Sequence, residues 1–95
     1  MAIKVIIERR VKKGLDTDLA KLMRELRAKA MLAKGYISGE TLRACDDPGL
    51  YLVISTWKSS DDWRAWEDNP VRKELQAKVD AVLETPTLGR VFDFA

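Results

Sequence analysis

Leu50-Tyr51-Leu52-Val53-Ile54-Ser55-Thr56-Trp57 is the stretch that decides the fold. Its density of β-branched and aromatic residues predicts a strand. At a period of two, Leu50, Leu52 and Ile54 point one way, while Tyr51, Val53 and Trp57 point the other. A strand that is apolar on both faces has to be covered on both. Before it, Asp46-Asp47-Pro48-Gly49 predicts a turn: the Asx side chains accept backbone hydrogen bonds, proline sets φ and glycine allows positive φ. Upstream of that turn, Tyr36 to Cys45 predicts the antiparallel partner strand. Ile37, Gly39, Thr41 and Arg43 share one of its faces; Ser38, Glu40, Leu42 and Ala44 share the other.

Working toward the N-terminus, Ile3-Lys4-Val5-Ile6-Ile7-Glu8-Arg9-Arg10 predicts a first strand with Ile3, Val5 and Ile7 on one face and Ile6 beside Lys4 and Glu8 on the other. Asp16-Thr17-Asp18 offers an N-cap and first-turn acids to a helix running to about Lys34, with Gly35 placed to end it. Leu15, Leu19, Leu22, Met23, Leu26, Ala30 and Ala33 fall within an arc of about 100°, the width of a core stripe. Met31 and Leu32 lie off that stripe. Toward the C-terminus, Ser59 or Ser60 caps a short helix through Asp68. Asn69-Pro70 then supplies N-cap and N1 of a helix to about Leu83, whose core face is Val71, Leu75, Val79 and Val82. Pro86 breaks it, and Leu88 to Phe94 predicts a last strand.

The order strand, helix, strand, strand, paired helices, strand predicts an α+β domain spanning residues 1–95. Its simplest form is the ferredoxin-like arrangement, a four-stranded antiparallel sheet with helices on one face. The second sheet face should then alternate polar and apolar residues, and it does not. Ile6 (or the Ile3 set) and the Tyr51, Val53, Trp57 row all require burial, and too few elements remain to cover them. A homodimer packed sheet to sheet is the economical solution.

Composition narrows the chemistry. The 95 residues are 46% hydrophobic and 34% charged, as in a folded globular domain. There is no histidine, which excludes imidazole acid–base catalysis, His-containing triads and His-ligated haem or zinc within this chain. A net charge of +2 gives no reason to expect nucleic acid or a membrane surface. The order resembles that of RNA-binding modules, but Leu50 to Trp57 has no glycine and only Tyr51 and Trp57 as aromatics, which does not match their third-strand pattern. No apolar run reaches the roughly 20 residues of a membrane span, and Met1-Ala2-Ile3-Lys4 does not read as a secretory signal. The single cysteine, Cys45, cannot form an internal disulfide, which fits the cytoplasm. Asp46-Asp47 and Asp61-Asp62 read as turn and cap rather than metal ligands. No metal or cofactor is expected.

The densest feature is Trp57-Lys58-Ser59-Ser60-Asp61-Asp62-Trp63-Arg64-Ala65-Trp66, which holds all three tryptophans. Trp57 and Trp63 read first as packing; Trp66 is as well suited to a pocket wall. Together with Lys13-Gly14, Gly35-Tyr36-Ile37 and the helix from Asn69-Pro70-Val71 to Leu83, this region resembles the antibiotic biosynthesis monooxygenase family of dimeric α+β barrels. The resemblance covers nearly the whole chain. It implies the ferredoxin-like fold, a homodimer, and oxidoreductase chemistry on small molecules.

Carried over residue by residue, the resemblance is uneven. The tryptophan shared by haem-degrading members falls at Trp66, but their histidine falls at Gln76 and their asparagine at Ile7, which removes the iron ligand and its neighbour. Among polyketide-oxidising members, Trp66 matches again, an asparagine falls at Asp62 and a tyrosine at Arg72. Oxidation without metal or flavin requires a dry pocket, a base and a cation or donors for the substrate anion. The candidate catalytic residues are Trp66, Asp62 and Arg43. The candidate pocket residues are Arg9, Tyr36, Glu40, Tyr51, Asn69 and Gln76. Each has a plainer reading: Arg9 and Arg43 as strand-edge charges, Glu40 and Gln76 as solvated groups, Asp62 as a first-turn acid. The expected activity is cofactor-independent monooxygenation of a small aromatic or quinol-type substrate in a pocket between sheet and helices. The alternative is a non-catalytic small-ligand-binding or stress-related protein on the same scaffold.

Overall fold

The computed structural model, which describes residues 1–95, contains β1 (Ile3–Arg10), α1 (Asp16–Ala30), β2 (Tyr36–Arg43), β3 (Leu50–Trp57), α2 (Ser60–Glu67), α3 (Pro70–Ala81) and β4 (Leu88–Asp93). The strands form one sheet in the order β2-β3-β1-β4, and every pairing is antiparallel. This is the ferredoxin-like α+β fold that the order of elements predicts. No helix is long and apolar enough to cross a membrane.

Register determines which face meets the helices. Ile3 lies opposite Trp57, Ile7 opposite Val53 and Arg9 opposite Tyr51. The Ile3, Val5, Ile7 row and the Tyr51, Val53, Trp57 row therefore share one face. They pack with Leu19 and Leu26 of α1, Trp63 and Trp66 of α2, and Leu75 and Val79 of α3. The expectation that the Tyr51 row belongs to the uncovered face is corrected by this pairing. The uncovered face carries Ile6, Leu50, Leu52 and Ile54, all half-buried. Outer strands extend it with Leu42, 46% exposed, and Phe92, 42% exposed. Its polar relief includes Lys4, whose Nζ donates to Thr56 Oγ1 across the sheet at 3.0 Å.

A β-bulge corrects the alternation expected for β2. Tyr36 pairs with Trp57 and Ser38 with Thr56, so Ile37 is the extra residue. The bulge turns Tyr36 toward the helices, on the side that Gly39, Thr41 and Arg43 also occupy, and leaves Ile37 half exposed.

The helix ends differ in detail from expectation. α1 begins after Leu15 with no side-chain cap, and it stops at Ala30 rather than Lys34. Residues 31–34 descend to the sheet through tight turns, with Leu32 N–H donating to the Lys29 carbonyl and Ala33 N–H to that of Ala30. Gly35 then adopts φ +85°, and a Cβ there would overlap the Asp62 carboxylate. Glycine is required on both counts. Gly49, in contrast, does not use positive φ. Ser59 caps α2 by accepting from Asp62 N–H at 3.1 Å, and Asn69 caps α3 by accepting from Val71 N–H at 2.8 Å. Val71 itself is 46% exposed, so the α3 core face reduces to Leu75 and Val79 with Val82 packed beside them.

Candidate functional site

The alternation that buries Ile3, Val5 and Ile7 places Arg9 next on the same face, under the helices. It is only 4% exposed. Its Nη2 donates to Gln76 Oε1 at 3.1 Å, and its Nε is buried with no hydrogen-bond partner in the chain. Gln76 is held in turn: its Nε2 donates to Asp80 Oδ1 and to Thr87 Oγ1, each at 2.9 Å. Thr87 Oγ1 also donates to Asp80 Oδ1 at 2.9 Å. One turn before Gln76 on α3, the Arg72 guanidinium lies 5.2 Å from the centre of a Trp63 ring, a cation–π arrangement.

Neither of these two arginines forms an ion pair. The chain's one ion pair is Arg10–Asp47, far out on the turn before β3, at 2.8 Å. Burial, with Arg72 adding repulsion and Asp80 opposing it, lowers the Arg9 pKa to about 10. Burial also lowers that of Arg72, against the pull of Glu67 and Asp80. Desolvation by burial is the largest cause for both.

Two chambers meet here. One, of about 70 Å³, is walled mainly by apolar groups including Trp57, Trp63, Trp66, Tyr36 and Val53, with Arg9, Arg27 and Arg72 also on its surface. Its walls are stiff: Tyr36 sits edge-on to Trp57 at 5.4 Å and Trp57 meets Trp63 at 5.5 Å, while Trp57 Nε1 donates to Ser55 Oγ at 3.0 Å. The second chamber, of about 340 Å³, is lined by Glu67, Gln76, Asp80, Thr87 and Arg90 among others. Ile7, Trp63 and Arg72 belong to both. A cavity of about 150 Å³ is known to hold benzene. The apolar chamber alone, at about 70 Å³, is smaller than that, so a ring compound has to lie at least partly in the second, at about 340 Å³. Glu67 and Asp80 bring carboxylates to the second chamber, but no three His, Cys, Asp or Glu side chains form a cluster that could hold a metal ion.

The structure brings some of the anticipated residues together and leaves others apart. Arg9, Tyr36 and Trp66 line the apolar chamber, and Gln76 lines the polar one. Glu40 touches the apolar chamber's edge but is exposed, and its register partner is Ile54 on the open face. Asp62, Arg43, Tyr51 and Asn69 line neither chamber. Asp62 packs its carboxylate over Gly35, and Asn69 is occupied as the α3 cap. Tyr51 is buried in the core between Arg9 and Arg43 in register. Arg43 ends β2 exposed.

Sequence reading missed Arg72, Asp80, Arg27 and Ser55. A signal for the first two existed. Arg72, Gln76 and Asp80 recur every four residues, a polar stripe bordering the Leu75, Val79 core face. For Arg27, whose Nη2 donates to the Gly39 carbonyl at 3.0 Å, no local signal exists, because the contact depends on how α1 lies over β2.

A conserved protein from Methanosarcina mazei Go1 superposes with a TM-score of 0.94 at 17% identity, covering 100% of this chain and 94% of that one. SnoaB, a cofactor-independent oxygenase from Streptomyces nogalater, gives 0.89 at 16% identity, with 99% and 93% covered. Rv0793 from Mycobacterium tuberculosis gives 0.90 at 16%, with 100% and 96% covered. At such identities these structures establish the fold. No curated protein matches in sequence. The family model for antibiotic biosynthesis monooxygenases matches residues 2–78, from β1 into α3, and includes Arg9, the tryptophans, Arg72 and Gln76. On that match, which takes in most of the sequence and most of the cavity wall, the chain belongs to the antibiotic biosynthesis monooxygenase family.

Proposed function

We propose that this protein is a cofactor-independent monooxygenase acting on a small aromatic or quinol-type substrate held across the two chambers. The observation that carries this reading is the junction itself: tryptophan walls on one side, a buried and a half-buried guanidinium beside them, and the Asp80 carboxylate on the lining of the polar chamber. An electron-rich aromatic loses a proton to a base and becomes a reductant for dioxygen, so the protein's tasks are to dry the site, accept the proton and stabilise the anion. Asp80, already oriented by Gln76 and Thr87, is the proton acceptor in this reading, and Arg9 and Arg72 face the anion. For an anthrone the balance closes when the ring methylene becomes a carbonyl. One atom of dioxygen ends on that carbon, the other leaves as water with the two methylene hydrogens, and both electron pairs come from the substrate. Incubating the protein with anthrone under air and following oxygen uptake tests this. Uptake should exceed buffer, and Asp80→Asn should lower it by about 100-fold, the scale of general-base assistance. Trp66→Phe should retain the fold and weaken substrate binding.

One observation favours the alternative of a binding protein without catalysis. Asp62 and Arg43, two of the three residues first assigned chemistry, lie outside the cavity. Uptake no faster than buffer, with ligand binding intact, would decide for that alternative.

We also infer that two copies pack open face to open face. Ile6, Leu52 and Ile54 at the middle of that face, flanked by Leu42 and Phe92, form an apolar surface of the kind that marks an interface. An exposed thiol, Cys45, fits a reducing cytoplasm. Sedimentation at micromolar concentration should give a dimer, and Ile54→Asp should give monomers, because each interface would bury two unpaired carboxylates. A wild-type chain that sediments as a folded monomer sinks the dimer.

A further inference from the structure

Arg9 is the least explained charge in the molecule. A guanidinium this deeply buried ordinarily meets a carboxylate, since leaving it unpaired is costly. Here its only partner is the neutral amide of Gln76, and Nε has none. A carboxylate is near, but Gln76 and Thr87 hold it: both hydrogen bonds to Asp80 Oδ1 come from them. Arg72, the second cation on the same wall, also has no ion pair and rests on Trp63. Arg27 is engaged with the Gly39 carbonyl. The arrangement leaves two guanidinium groups on the cavity wall without an ion pair, Arg9 held by a neutral amide and Arg72 resting on an indole.

We propose that the substrate carries a fixed carboxylate, seated between Arg9 and Arg72 where the two chambers meet, with its aromatic body against Trp63 and Trp66. That the body is aromatic rests on the function proposed above; the anion site does not. A carboxylate suits the donors because its two in-plane oxygens match guanidinium edges, each bond being charge-assisted. It also accounts for the position of Arg72, which belongs to both chambers. Once bound, the carboxylate supplies the direct ion pair that Arg9 and Arg72 lack, which Asp80 and Glu67 on the second chamber do not form. The ring stays free to ionise toward Asp80.

Equilibrium binding tests the site without any turnover. Tryptophan fluorescence, reporting from Trp63 and Trp66, is titrated under nitrogen with benzoate, 2,5-dihydroxybenzoate and hydroquinone. Both carboxylates should bind at least about tenfold more tightly than hydroquinone, the scale of a charge-assisted hydrogen bond. Arg9→Met and Arg72→Met should each bring that ratio close to one, because each weakens carboxylate binding far more than hydroquinone binding. Arg72 is only partly buried on the first turn of α3, so its variant keeps the test available if the Arg9 variant misfolds. Hydroquinone binding as tightly as the carboxylates, or a preference that survives both substitutions, overturns the site. Absent oxygen uptake with the carboxylate preference intact would instead remove the monooxygenase reading and leave the anion site standing.

Discussion

Truncation of Trp57 to alanine should cost about 3–5 kcal/mol, the range for a large buried aromatic, and so about a fifth or more of the stability of an ordinary domain, about 5–15 kcal/mol. Trp57 is 1% exposed and sits where the sheet, the β2 bulge and α2 converge. Tyr36 meets it edge-on from one side and Trp63 from the other. Each aromatic pair adds about 0.5–1.5 kcal/mol beyond the area it covers, and Ser55 Oγ loses its indole donor. The loss is read from the midpoint of urea unfolding. A change below about 1 kcal/mol would mean that neighbouring side chains refill the space, and the stiffness ascribed to the apolar chamber would go with it. Because Trp57 also lines that chamber, a surviving variant should bind ligand poorly.

The second large effect runs the other way. Replacing Arg9 by methionine should raise the thermal midpoint. In the native state burial has lowered the Arg9 pKa to about 10, below its value in the unfolded chain, so the unfolded chain holds that proton more tightly. Below about pH 10 the native guanidinium is charged and destabilises the fold in full; the penalty is relieved as pH rises through 10 toward the ordinary arginine range. At neutral pH, then, methionine removes a cost and keeps most of the packing volume. Replacement of buried charges by apolar groups has stabilised proteins by about 1–4 kcal/mol, and each kcal/mol corresponds to about 4–8 °C in a domain of this size. Gln76 loses one donor but keeps Asp80 and Thr87, which limits the offset. A midpoint that falls in differential scanning calorimetry would show Arg9 to be a structural strut rather than a group held in readiness for a ligand.

These opposite signs on one face show how local and distant information divide. Trp57 and Arg9 both occupy inward positions of regular strands, and period-two alternation assigns each to its row without any knowledge of the fold. Alternation says nothing about whether a charge at such a position reaches past the sheet edge into water. Arg9 is open to reading as an edge charge for that reason. The end of α3 and the bridge between Val11 and Leu83 cover that end of β1, and both come from residues more than sixty positions away. The bulge at Ile37 is a comparable case. Strand propensity identifies β2, but one extra residue reverses which side Tyr36 faces, and the bulge exists to fit β2 against β3.

Strand and helix order, the capping residues Ser59 and Asn69, the core stripe of α1 and the lack of any imidazole chemistry were legible from residue types and spacing, because each depends on contacts within a few positions along the chain. The same holds for the presence of apolar residues on both faces of the sheet. Which row faces the helices, the separation of Asp62 and Arg43 from the cavity, and the meeting of Arg9 with Arg72 and Gln76 emerged only on folding. They depend on strand register and on how α3 lies across β1, set by packing between segments distant in sequence, where a shift of one residue would send the same side chains to opposite sides of the sheet.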